Sequence, residues 1–88
     1  MNGIGNIIGI EENVVFLKMN PNYKHEKSLV GLYIVFKDSE RAMVGEITNI
    51  KDSIAYVNLL GEIKKSKFVF GAVHKPSMNS NVALLPEQ

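Results

Sequence analysis

Apolar and polar residues alternate along this chain in short runs, each closed by a polar turn. Ile4–Ile10 and Val14–Met19 are rich in β-branched and aromatic residues and flank Glu11-Glu12-Asn13. Runs of this kind predict strands. Three loop residues ending in Asn predict a hairpin whose last loop residue sits at positive φ. Lys37-Asp38-Ser39-Glu40-Arg41 separates Leu32–Phe36 from Ala42–Ile50 in the same manner. Lys51-Asp52-Ser53 then leads into Ser53–Ile63, and it is the poorer match because Ser tolerates positive φ less well than Asn. Lys67–Val73 and Val82–Leu85 complete about seven short strands, with turns roughly every ten residues, a spacing that suits a barrel or sandwich. A helical reading is weak. No window holds apolar residues at i, i+3, i+4 and i+7 without glycine or β-branched clusters intervening. Asn20–Ser28, polar and carrying Pro21, reads as a long loop with room for one turn of helix.

One phrase recurs three times: Ile4-Gly5-Asn6-Ile7, Val44-Gly45-Glu46-Ile47 and Leu60-Gly61-Glu62-Ile63. The first two copies extend further at an offset of 40 residues, so that Gly5, Ile7, Ile10, Val14 and Phe16 fall on Gly45, Ile47, Ile50, Ile54 and Tyr56. Glycine inside a strand marks a bulge, a bend at a barrel corner or a close backbone approach. Gly5, Gly45 and Gly61 are therefore expected to be structural bends in a sheet that must curl. The fold expected is all-β: a small closed antiparallel β-barrel of about six or seven short strands, as a single domain over residues 1–88.

The apolar parity complicates that picture. Ile7 to Ile10 and Ile47 to Ile50 are odd steps, so a flat strand would put the two members on opposite faces. Either a bulge lies between them or both faces are covered. Leu32, Ile34 and Phe36 with Tyr33 and Val35 make a strand apolar on both sides, where a solvated antiparallel sheet alternates more cleanly. The expectation is an outer surface partly covered by a partner, although β-branched residues also scatter onto surfaces through strand propensity alone.

Size and charge narrow the options. A chain of 88 residues buries only roughly 60–65% of its unfolded surface, so its stability should be modest. There is no cysteine to add a disulfide or a thiolate metal site, a pattern compatible with a reducing cytosol. Ten basic and nine acidic residues give a formal net charge of +1 and no global field to draw in nucleic acid or anionic membrane. The first basic residue is Lys18, and no apolar run is long enough for a secretory signal or a membrane span. A soluble cytoplasmic domain is expected.

Candidate chemistry is sparse. His25 and His74 stand in separate polar segments with no paired carboxylate at ligand spacing, whereas zinc needs three or four ligands. Ser28, Ser39, Ser53, Ser66, Ser77 and Ser80 occupy no nucleophile-elbow context. Asp38, Glu40, Asp52 and Glu62 lie in or beside turns and read as solvated surface. No phosphate-binding loop or dinucleotide fingerprint occurs, and the glycines precede no helix that could hold a phosphate. No catalytic residue, metal or cofactor is expected for this chain. One constellation suits nucleic acid: Lys64, Lys65 and Lys67, followed by Phe68, Phe70, His74 and Lys75, pair phosphate-binding groups with stacking rings. Alternation puts Phe68 and Phe70 on one face, however, and they are expected in the core. The lysines then reduce to a charged turn that protects an edge.

The whole-chain pattern resembles a known family. An N-terminal Ile-Gly-x-Ile-x-Gly-Ile and hairpin, an apolar strand after Val30-Gly31, Val44-Gly45-Glu46-Ile47, Leu59-Leu60-Gly61-Glu62-Ile63, and a closing His74-Lys75-Pro76 to Val82-Ala83-Leu84-Leu85 are similar to the HAS barrel. That is the small N-terminal β-barrel shared by HerA-type hexameric ATPases and rotary ATP synthase subunits. The resemblance implies a collar that supports ring assembly and docks partner nucleases or other effectors. DNA would be met indirectly, and ATP and magnesium only by a following P-loop ATPase domain. The chain stops at Pro86-Glu87-Gln88, where that domain would be expected to begin. The resemblance carries over Gly5, Gly45 and Gly61 as bends and Val82–Leu85 as the strand before the motor. A stand-alone nucleic-acid-binding barrel of the OB or SH3-like kind is the alternative, and a ribosome-maturation-type barrel that docks a protein is a third.

Overall fold

The computed structural model describes residues 4–21, 29–38, 41–71 and 75–85. Within them lie seven strands: β1 (Gly5–Glu11), β2 (Val14–Met19), β3 (Tyr33–Lys37), β4 (Ala42–Lys51), β5 (Ile54–Lys64), β6 (Lys67–Phe70) and β7 (Asn81–Leu84). All seven fall on the runs that the apolar pattern singled out. His25, His74, Ser28, Ser39, Glu40, Val73, residues 86–88 and most of the Asn20–Ser28 loop lie outside the described residues.

The strands form one antiparallel sheet in the order β1-β2-β5-β4-β3-β7, with β6 attached to β5. The long β5 changes neighbours along its length: Ile54–Asn58 pair with β2, and Gly61–Lys64 pair with β6. The sheet curls into a half-barrel and stays open, which corrects the expectation of a closed cylinder. The two end strands share no ladder. They meet through one backbone hydrogen bond, from Ile4 N–H to Val82 C=O at 3.2 Å.

Bulges resolve the odd steps. Ile7 pairs with Leu17 and Gly9 with Phe16, leaving Ile8 as the extra residue in β1. Ile47 pairs with Val57 and Asn49 with Tyr56, leaving Thr48 extra at the equivalent place in β4. Each bulge turns a three-residue step into a same-face step, so Ile7 is buried and Ile10 packs against the core, as do Ile47 and Ile50. A third bulge leaves Leu60 extra in β5, because Val44 pairs with Gly61 and Gly45 with Leu59.

The 40-residue repeat is thus a duplicated bulged hairpin, and its two copies meet head to head. Phe16 pairs with Tyr56, its own counterpart, with Val15 opposite Val57 and Leu17 opposite Ala55. The hydrogen bond from Met19 N–H to Ser53 C=O at 2.8 Å is matched by that from Leu59 N–H to Asn13 C=O at 2.8 Å. A local pseudo-twofold axis therefore passes through the Phe16–Tyr56 pair, whose rings stack edge to face with centroids 5.3 Å apart.

The turns differ from expectation in detail. The first loop has two residues rather than three, and Glu12 (φ 55°), not Asn13, takes the left-handed conformation. Asp52 (φ 55°) and Ser53 (φ 67°) are both left-handed, the signature of a type I′ hairpin whose twist matches its strands. The two-residue turn imposes this conformation on Ser53 despite the residue's own reluctance. Ser53→Gly should relieve that local cost and raise stability by about 0.5–1 kcal/mol. Urea denaturation followed by circular dichroism checks it, and a lower midpoint would show that the Ser53 conformation is unstrained.

The core lies inside the curl. Val15, Leu17 and Met19 of β2, Ile34 and Phe36 of β3, Met43 and Ile47 of β4, Ala55, Val57 and Leu59 of β5, and Val82 of β7 form one buried cluster, joined by Ile4, Ile7 and Leu29. Gly5, Gly45 and Gly61 serve as points of close backbone approach, and none has positive φ. A Cβ on Gly45 would lie 2.6 Å from Val57 Cγ1 and 2.9 Å from Asn58 O. A Cβ on Gly5 would strike Lys18 O, and one on Gly61 would strike Val69 O. Each glycine leaves room for a backbone atom of the neighbouring strand that a side chain would displace.

Candidate functional site

The outer face of the sheet carries the most distinctive surface. Residues directly opposite in a ladder share a face, so Val35, Val44, Gly61 and Phe70 form one row across β3, β4, β5 and β6. Val44 is 5% exposed, yet it stands outside the main core cluster. It is covered from the outer side instead. Around it Tyr33, Leu60, Ile63, Phe68, Phe70 and Leu85 line an apolar groove of about 270 Å³. The groove is open to solvent: Tyr33, Phe68, Phe70 and Leu85 are all exposed, with Phe70 at 79%.

Phe68 and Phe70 were expected in the core, and the structure places them on this outer face. The cause is the bulge at Leu60. Before it, β5 turns Ala55, Val57 and Leu59 inward. Past it, Met43 of the core faces Glu62, so the inward set has switched to even positions. Ile63 and Gly61 then point outward, and β6 brings Phe68 opposite Ile63 and Phe70 opposite Gly61. The two rings stack edge to face with centroids 4.8 Å apart. Gly61 lets β6 lie flat here, because any side chain would meet Phe68 Cζ at 3.0 Å and Phe70 Cα at 3.0 Å.

The three lysines sit on the β5–β6 hairpin. Lys65 (φ 50°) and Ser66 (φ 68°) form its turn, and Lys64 pairs with Lys67. By parity Lys64 and Lys67 occupy the hairpin face opposite Phe68 and Phe70. The structure therefore brings the lysines together and the rings together, on two different surfaces. Like charges directly opposite destabilise a ladder, and Glu62 offsets this: its Oε2 lies 3.1 Å from Lys64 Nζ. Glu62 itself is 4% exposed, so it is a buried ion-pair member rather than the solvated turn residue expected. Asp38 is the turn residue expected of it, accepting the Arg41 N–H at 2.8 Å. Asp52 likewise sits in a turn.

The apolar pattern alone does not single out Tyr33, Val44, Leu60, Ile63 and Leu85 as site residues. Their signal was the doubled apolar face of Leu32–Phe36 and the adjacent Leu59-Leu60 pair. Among the described residues no three His, Asp or Glu side chains gather as a metal site. Nor, among them, is any helix long and apolar enough to cross a membrane. The groove has few polar atoms and no charged lining residue, so its chemistry is that of contact with other apolar groups. Comparison of the chain with protein-family models and with curated proteins returns no match.

Proposed function

We propose that this chain is a non-catalytic docking module: a HAS-type β-barrel domain of a HerA-like DNA-translocating ATPase, supporting ring assembly and the binding of a nuclease or other effector. The observation that carries the reading is the solvent-open apolar groove on the convex face, built from Tyr33, Val44, Leu60, Ile63, Phe68, Phe70 and Leu85. Beyond covering Val44, the side chains of Tyr33, Phe68, Phe70 and Leu85 leave apolar surface exposed, and a contiguous patch of this kind supports an interaction surface. The repeated Gly-x-Ile phrase and the closing Pro76 to Val82 segment support the family resemblance. In a ring, ATP and magnesium belong to the motor domain, and DNA is engaged there.

Two measurements test this. Sequencing the gene beyond codon 88 should reveal a P-loop. Gel filtration with light scattering on the full-length product, with and without residues 1–88, should show a changed ring and lost effector binding after deletion. An unchanged ring that still retains its effector would contradict the proposal.

The exposure of Phe68 and Phe70 beside a lysine-rich turn favours a second reading, single-strand nucleic-acid binding. It expects binding at about 50 mM salt that falls steeply as salt rises, and loss when Lys64, Lys65 and Lys67 are changed to Glu together. The placement of rings and lysines on opposite hairpin faces supports the protein-docking reading over it.

A further inference from the structure

The groove ends at a strand edge. Among the described residues β6 pairs with β5 alone, and all four of its residues are exposed. The phase of its ladder is set by the bond from Gly71 N–H to Leu60 C=O at 2.8 Å. Bonded pairs alternate in an antiparallel ladder, so they fall at Glu62/Val69 and Lys64/Lys67. The amides and carbonyls of Phe68 and Phe70 consequently point away from β5, along the outer edge. Their side chains meanwhile wall the groove. Main-chain hydrogen-bonding groups and an apolar side-chain trough thus occur at the same two residues.

We infer that the outer edge of β6 is a strand-acceptor site, and that its ligand is an extended segment of a partner protein alternating apolar and acidic residues. The inference rests on the docking role proposed above and names the site and ligand class. An added strand takes affinity from backbone pairing and specificity from alternate side chains. One set of its side chains continues the Phe68 and Phe70 row and must be apolar to pack against those two rings, which wall the groove. The other set continues the Lys67 and Val69 face, beside Lys64 and Lys65. That hairpin holds three cations within four positions, and its acid, Glu62, is already paired with Lys64. Carboxylates on the incoming strand complement this charge. A second copy of the chain would instead bring its own three lysines to the edge, where they repel.

The probe is a blocked heptapeptide alternating valine and glutamate, titrated into the 88-residue chain while backbone amides are followed by NMR. The site expects shifts centred on Phe68 and Phe70. A valine–lysine version should bind about tenfold more weakly or less. Two further versions, N-methylated on one or the other set of alternate amides, separate edge pairing from simple greasy contact. One should keep binding and the other should lose roughly tenfold or more. Phe70→Glu and Lys67→Glu, both at exposed positions, should each weaken binding with amide dispersion retained.

Several outcomes overturn the inference: no shift at millimolar peptide, equal binding of both methylated versions, equal binding of the lysine version, or shifts centred on the β1–β2 hairpin. So do displacement of the peptide by single-stranded DNA and concentration-dependent dimerisation through β6. The deletion experiment on the full-length protein reads ring size and effector binding independently. A lost effector there with no peptide binding here would sink the β6 edge and leave the docking role standing.

Discussion

Phe36→Ala is expected to remove about 3–5 kcal/mol of stability, which is most of what a domain of this size holds. Phe36 sits at 1% exposure in the middle of β3, directly between Met43 of β4 and Val82 of β7, both also buried. This row ties the edge strand β7 to the rest of the sheet. Among the described residues a single backbone bond, Ile4 N–H to Val82 C=O, links the two ends of the sheet, so no closed ladder compensates when the row is hollowed out. Urea denaturation followed by circular dichroism should show the variant largely unfolded or its midpoint sharply lowered. Phe36→Leu keeps most of the volume and should cost under about 1.5 kcal/mol. A loss of less than about 1 kcal/mol for the alanine variant would place the core elsewhere.

Gly45→Val is the second large effect, at about 1–3 kcal/mol. The reason is steric rather than conformational. Gly45 does not occupy the left-handed region, and the obstacle is the Asn58 carbonyl and the Val57 side chain, 2.9 and 2.6 Å from where a Cβ would stand. A backbone atom of the partner strand cannot move aside without breaking the β4–β5 ladder. Gly9 provides the internal comparison. A Cβ there finds Phe16 Cδ2 at 3.6 Å, an ordinary contact. Gly9→Ala should be neutral or stabilising by up to about 1 kcal/mol, through the lower entropy of the unfolded chain. If Gly45→Val melts at the parental temperature, or if Gly9→Ala is the worse of the two, close approach does not explain the repeated glycines.

Much of this architecture was legible because strand signals are local. β-Branched runs bounded by polar turns marked all seven strands. The odd steps from Ile7 to Ile10 and from Ile47 to Ile50 left a bulge or a doubly covered strand open, and the register shifts at Ile8 and Thr48 select the bulge. The offset that puts Phe16 on Tyr56 identified a duplication, although the head-to-head meeting of its copies needed the pairing of β2 with β5. Long-range register was not legible. Whether the sheet closes depends on β1 reaching β7, and no local pattern encodes that contact. A single extra residue at Leu60 reversed the faces of everything after it. It sent Phe68 and Phe70 outward and Glu62 inward, so the faces of these three residues differ from expectation while their strands were placed well. The lysines lie at the β5–β6 turn, and their separation from the rings depends on that same bulge.

Apolar residues divide between two faces, one that packs the core and one that lines the open outer groove. Comparing Phe70→Ser with Phe36→Ala in the same urea titration tests that division most directly. Phe70 is 79% exposed on the groove wall, so its loss should change stability by under about 1 kcal/mol, while the Phe36 variant collapses. If Phe70→Ser destabilises the chain as much as Phe36→Ala does, the groove belongs to the core and no docking surface remains.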